Sequence, residues 1–182
     1  GNEFLFFETK DVRSAAFGVQ YIDLKDIYHS YLYTNIPRSN QPYTYNPDIN
    51  GRFTITALDR DNPSIEADYT MVHFSLAHEE FTEGERLFVY GNFNNYALDN
   101  YNELLYNPET QLYETSFKLK QGFYNYKYVV INADGTLDEG RIDGNFWQTE
   151  NNYKLLVYYR DLGTRYDRIV GFNEVSSTNI SN

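Results

Sequence analysis

The feature that most constrains this chain is a strict two-residue alternation on either side of Gln121-Gly122. Before it, Tyr113, Thr115, Phe117 and Leu119 alternate with Glu114, Ser116 and Lys118. After it, Tyr124, Tyr126, Tyr128 and Val130 share one face and Asn125 and Lys127 the other. Successive side chains on a strand point to opposite faces, so this period predicts strands with one face toward a core. The same pattern sets Val72, Phe74 and Leu76 against Met71, His73 and Ser75. Leu87 to Tyr90 reads as a strand that enters the turn Gly91-Asn92-Phe93-Asn94-Asn95-Tyr96, where Gly and Asn tolerate unusual backbone angles. Turn signals recur at Asn107-Pro108-Glu109-Thr110 and Asp134-Gly135, and Tyr153 to Arg160 is the last long strand. With no helical stretch between the strands, the expected fold is an all-β sandwich.

The first third is less regular. Asn2 to Glu8 reads as a short strand, Ser14 to Val19 as a weakly periodic one. Asp26 to Thr34 carries aromatic or aliphatic groups on both faces, which predicts a strand covered on both sides. Asn35 to Gly51 is a loop, because Pro37, Pro42 and Pro47 each lack a ladder donor and restrict the residue before them. Tyr43 and Tyr45 make it stickier than a linker. Asn50-Gly51 is a turn signal, and Phe53 to Leu58 alternates beyond it. The polar stretch Asp59 to Asp68 marks a boundary between lobes.

A formal net charge of −11 argues against nucleic acid and anionic lipid as partners, since phosphate binding needs clustered Lys and Arg. The absence of cysteine removes disulfides, thiolate catalysis and thiolate metal sites. No apolar run approaches the roughly 20 residues of a membrane helix, so membrane insertion by a helix is not expected.

Catalytic constellations are sparse. His73 and His78 are not at the spacing of a zinc helix, Glu79 completes no HExxH motif, and His29 is distant, so all three histidines read as structural. Asp59-Arg60-Asp61-Asn62 begins like a calcium loop. It then has Ser64 where that loop needs Gly and Thr70 where it needs Glu. No nucleophile elbow or phosphate-cradling glycine loop is present. The expectation is a protein without catalytic residues, metal or cofactor; a glycosidase would need paired carboxylates about 5–10 Å apart in a cleft. Two other signals stand out. Arg160, Arg165 and Arg168 interleave with Tyr158, Tyr159 and Tyr166, residue types that anchor protein interfaces, although Asp161 and Asp167 could pair with them internally. Tyr96, Tyr101 and Trp147 sit in or beside loops, where a ring can stack on a sugar or cap the core.

The segment from about Asp68 to Phe172 resembles the early-set immunoglobulin-like modules that bind glycogen and starch. The likeness lies in Val89 to Tyr96, in Leu119 to Val130 and in Asn151-Asn152. It implies an oligosaccharide site at Tyr96, Lys127, Trp147 and Asn151, with Tyr96 where those modules usually carry tryptophan. Thr136 and Leu137 stand where a second platform tryptophan is expected. The whole chain resembles a narrower family, the C-terminal part of the plug protein of the type IX secretion system of Bacteroidetes. The motifs are Asn2-Glu3-Phe4 with Phe6-Phe7, Asp48 to Phe53, Glu66 to Tyr69, Gly91 to Asn95, Gly144 to Asn151, and Val157 to Arg160 with Gly163 to Asp167.

This second resemblance implies a periplasmic or outer-membrane-associated protein that closes the periplasmic mouth of a large outer-membrane β-barrel, with further immunoglobulin-like sequence before Gly1. The expected organisation is a β-rich lobe over 1–66, the truncated end of a preceding immunoglobulin-like domain. An early-set immunoglobulin-like β-sandwich follows over 67–172, then a flexible tail over 173–182. The partner-binding residues expected are Tyr43, Tyr45, Tyr96, Trp147, Arg160, Arg165 and Tyr166.

Overall fold

The computed structural model describes residues 3–46 and 48–177. Asn2, Pro47 and the tail residues Thr178, Asn179 and Ser181, all used in the reading above, lie outside the described residues. The structure is an all-β sandwich with two compact units, Gly1–Asn145 and Phe146–Asn182.

The first unit holds strands β1 (Leu5–Glu8), β2 (Val19–Leu24), β3 (Tyr28–Leu32) and β4 (Phe53–Ile55). The one-turn helix α1 (Pro63–Glu66) follows, then β5 (Tyr69–Ala77), β6 (Arg86–Tyr90), β7 (Glu103–Asn107), β8 (Leu112–Lys120), β9 (Gly122–Ile131) and β10 (Leu137–Asp138). Hydrogen-bonded order runs β1-β9-β6-β7-β8-β5-β3-β2, with β4 and β10 also on β9. The β2-β3-β5-β8-β7 sheet forms one layer and the strands around β9 the other, joined by the short β6–β7 pairing. The inward faces meet in a ring-rich core, where Phe7 stacks on Tyr124 at 5.1 Å and Phe74 on Phe117 at 4.8 Å.

The alternation around Gln121-Gly122 does not close a hairpin. β8 pairs with β5 and β7, while β9 pairs with β6 and β1, so the chain changes sheet at this corner. Gln121 is buried there, its Oε1 accepting from the Asp68 amide and its Nε2 donating to the Lys10 carbonyl. A Cβ on Gly122 would lie 2.5 Å from the Thr54 carbonyl oxygen, a clash only glycine avoids.

The boundary expected at 66/67 is not a division of the structure. β1 and β4 pair with β9, and β3 pairs in parallel with β5, so the first 66 residues supply strands to the same sandwich. The structural division falls instead between Asn145 and Phe146. Asp26 to Thr34 is not covered on both sides either. Ser30 and Leu32 are buried inward, but His29 and Tyr31 lie half-buried on an open sheet face. Nor does Asn173 begin a tail, because Asn173–Ser176 belong to a strand of the second unit.

The polar core also explains the 35–46 loop. Asn35 Oδ1 accepts from both Tyr126 and Tyr128 hydroxyls, at 2.9 and 2.8 Å. Arg38 Nε donates to the buried Asp143 at 2.8 Å, and the other Asp143 oxygen accepts from the Tyr128 amide at 2.6 Å. Burial still pushes the Asp143 carboxyl up, against the pull of Arg38.

Candidate functional site

The second unit is a hairpin of β11 (Asn152–Tyr159) and β12 (Arg168–Ser176). Register places Tyr153 opposite Val175, Leu155 opposite Asn173 and Val157 opposite Gly171 on one face. Lys154 opposite Glu174, Leu156 opposite Phe172 and Tyr158 opposite Ile169 form the other, with a bulge after Val157. Both faces are exposed: Leu155 keeps 63% of its surface and Phe172 60%, and every residue of β11 is exposed. A lone two-stranded hairpin is marginal in water, and contiguous exposed apolar area is uncommon on monomeric proteins.

The connection between the strands is fixed by charge. Arg160 donates through Nε and Nη2 to the two oxygens of Asp167, at 2.7 and 3.0 Å, and Arg168 pairs with Asp161 at 2.6 Å. Bidentate Arg–carboxylate geometry gives the Arg160–Asp167 pair its orientation. Thr164 closes the turn through its amide and hydroxyl, both donating to the Asp161 carbonyl. Arg160 is thus engaged within the hairpin. Arg165 has no ion-pair partner among the described residues, and it stands exposed beside Tyr166 and the fully exposed Leu162. Trp147, 89% exposed, precedes β11.

The remaining sequence-predicted residues fall elsewhere. Tyr43 donates its hydroxyl to Glu3 at 3.1 Å, and Tyr45 is exposed on the same loop. Tyr96 is half-buried, its hydroxyl donating to the Gly51 carbonyl at 3.2 Å and its ring 5.0 Å from Tyr90. Lys127 lies over the Tyr90 ring and pairs with Glu139. Tyr96 and Lys127 therefore flank one ring, but both polar tips are engaged. Asn151 belongs to the second unit, where its amide nitrogen donates to the Thr149 carbonyl. Sequence reading missed the β12 half of the hairpin surface, Ile169, Phe172 and Val175, because Gly171, Asn173 and Glu174 interrupt its apolar pattern.

The calcium-like start at Asp59 is used for ion pairs, with Arg13 at 3.4 Å and Arg60 at 3.9 Å. No group of three or more His, Cys, Asp or Glu positioned for a metal occurs among the described residues.

No protein-family model matches the chain, and no curated protein matches it. Among solved structures it is similar to a hypothetical protein from Parabacteroides merdae, at 36% identity and a TM-score of 0.83. That match covers 97% of this chain and 45% of the other, so the chain spans less than half the length of that protein.

Proposed function

We propose that the chain is a non-enzymatic interaction protein of the cell envelope that docks through its β11–β12 hairpin. Its partner is the periplasmic side of a type IX outer-membrane translocon. The observation that carries the docking role is the hairpin's exposed apolar surface on both faces. Rings and aliphatic groups exposed in this density stabilise a complex by leaving water, at about 25 cal/mol per Å² of apolar area before ordering costs. Trp147, Tyr166 and Arg165 add the side chains that most often dominate such interfaces. The choice of translocon rests on the sequence resemblance, as does the immunoglobulin-like assignment of the sandwich.

The alternative is an α-glucan-binding module using Tyr96, Lys127, Trp147 and Asn151. It has less support, because the Tyr96 hydroxyl, the Lys127 ammonium and the Asn151 amide are already engaged locally.

The test is a pull-down from a Bacteroidetes outer-membrane extract with the intact parent protein as bait and mass spectrometry as readout. The expected result is recovery of a giant β-barrel, lost with Phe172→Ser and reduced with Arg165→Ala or Trp147→Ala. Failure to recover a barrel, or recovery unaffected by all three changes, overturns the reading.

A further inference from the structure

The outer face of the β2-β3-β5-β8 layer carries a feature that the docking role leaves unused. A groove of about 500 Å³ lies across it, within the range of small-molecule sites. Cross-strand register sets Tyr21 opposite Tyr31, Tyr31 opposite His73 and His73 opposite Ser116, so one row of side chains crosses four strands. The rings in that row are stacked: Tyr21 on Tyr31 at 4.3 Å and 8°, and Tyr31 on His73 at 4.0 Å and 7°. A prestacked column loses little side-chain freedom when a ligand arrives. Tyr21 ends it on the edge strand, half-exposed, and no ring among the described residues stacks on its other face.

The polar groups beside the column are oriented too. Glu114 Oε2 accepts from Asn107 Nδ2 at 2.9 Å, which fixes the carboxylate and leaves Oε1 to accept. Ser75 donates to the Thr34 hydroxyl at 3.0 Å, and Ser116 is exposed. His73 Nε2 lies 2.8 Å from His29 Nδ1, and His29 Nε2 lies 3.4 Å from Asp26. The tautomers that satisfy both contacts make His29 Nε2 and His73 Nε2 the donors, leaving His73 Nδ1 an acceptor. Burial, reinforced by His29 and Lys25, holds the His73 pKa down at about 4, so the ring is neutral at ordinary pH.

This chemistry selects a ligand class. Glu114, in a chain of net charge −11, repels an anion. One carboxylate with hydroxyls is a poor cage for a metal ion. Hydroxyl donors and carboxylate and imidazole acceptors lie at one end of the column, and the free face of Tyr21 lies at the other, with Tyr31 between it and His73. Together they suit a neutral, hydroxyl-rich chain long enough to cross the column and lay a C–H face on the terminal ring. We propose that this groove binds a neutral oligosaccharide, with Tyr21 as the stacking platform and Glu114, Ser116 and His73 as hydroxyl partners. The site is separate from the Tyr96 and Lys127 positions on the β9 layer, and it does not depend on the docking role of the hairpin.

The experiment is NMR titration of the full chain with maltohexaose, cellohexaose, xylohexaose and chitohexaose in turn. The expected result is saturable shifts at Tyr21, His73 and Glu114 with at least one of them. Glu114→Gln should weaken binding about tenfold, the value of one hydrogen bond to a charged acceptor. Ser116→Trp, at an exposed position, should abolish it by filling the groove while the remaining spectrum keeps its dispersion. No shift with any of the four sugars at millimolar concentration overturns the proposal. So do shifts centred on Tyr96 and Lys127, or binding that both variants leave unchanged.

Discussion

Strands β5 and β11 are written in the same alphabet and end in opposite surroundings. β5 alternates Val72, Phe74 and Leu76 with Met71, His73 and Ser75, and its first set is fully buried. β11 carries Tyr153, Leu155 and Val157 on one face and Leu156 and Tyr158 on the other, and all are exposed. The difference lies in neighbours. β5 has β8 along one edge, β3 along the other and a second layer across the core, whereas β11 pairs with β12. β-branched, aliphatic and aromatic residues therefore specify a strand in both places, but the topology decides whether its apolar groups are covered. A strand apolar on both faces, left with one partner, retains surface free energy that a second molecule can collect.

The comparison is sharpest where burial is deepest. Phe74 packs against Phe7, Phe117 and Tyr126 at ring distances of 5.7, 4.8 and 5.3 Å. Phe74→Ala removes those contacts and leaves a cavity, so urea denaturation should show a loss of about 3–5 kcal/mol. A loss below about 1 kcal/mol would mean that the core relaxes around the gap, and the contrast with β11 would lose its basis.

What the sequence disclosed follows the same division. β5 and β8 were legible because they alternate along most of their nine residues, β9 because it alternates from Tyr124 to Tyr128, and β11 because it is an unbroken run of β-forming residues from Leu155 to Tyr159. β12 was not, since Gly171 and the bulge near Val170 break its period. β7 carries Leu104 and Leu105 in succession, and α1 is a single turn of Pro63-Ser64-Ile65-Glu66, too short for a helical period to register. The His29–His73 pair joins residues 44 apart through a parallel β3–β5 pairing, which no local pattern announces. Likewise, the Asp59 to Asp68 composition shift reads as a boundary, yet Asp68 and Gln121 bind the two layers together at that point.

A second test uses acid. The unfolded chain protonates His73 near its ordinary value of 6.5, whereas the folded chain resists until about 4. The stability contributed by the neutral ring is therefore complete above pH 6.5 and is lost as pH falls from 6.5 toward 4. Thermal melts of the native chain should decline through that window more steeply than those of His73→Gln, which has no proton to take up there. Equal slopes would show that the β5 outer face does not hold the imidazole neutral. The hairpin holds no histidine and should add nothing to this slope.

The smallest effect is expected on the hairpin. Leu156 faces Phe172 across the β11–β12 ladder, and the two keep 44% and 60% of their surfaces. Such a cross-strand pair contributes roughly 0.2–1 kcal/mol, and exposed substitutions elsewhere usually stay within about 0.5 kcal/mol. Leu156→Ser should therefore cost less than about 1 kcal/mol in urea denaturation of this chain, several times less than Phe74→Ala. If the hairpin docks on a barrel as proposed, the same change should cost more in that complex, because Leu156 would then be leaving a covered interface instead of water. A large loss in this chain alone would place Leu156 in a core and remove the argument for a docking face. A small loss both alone and in the complex would leave the hairpin folded but outside the contact.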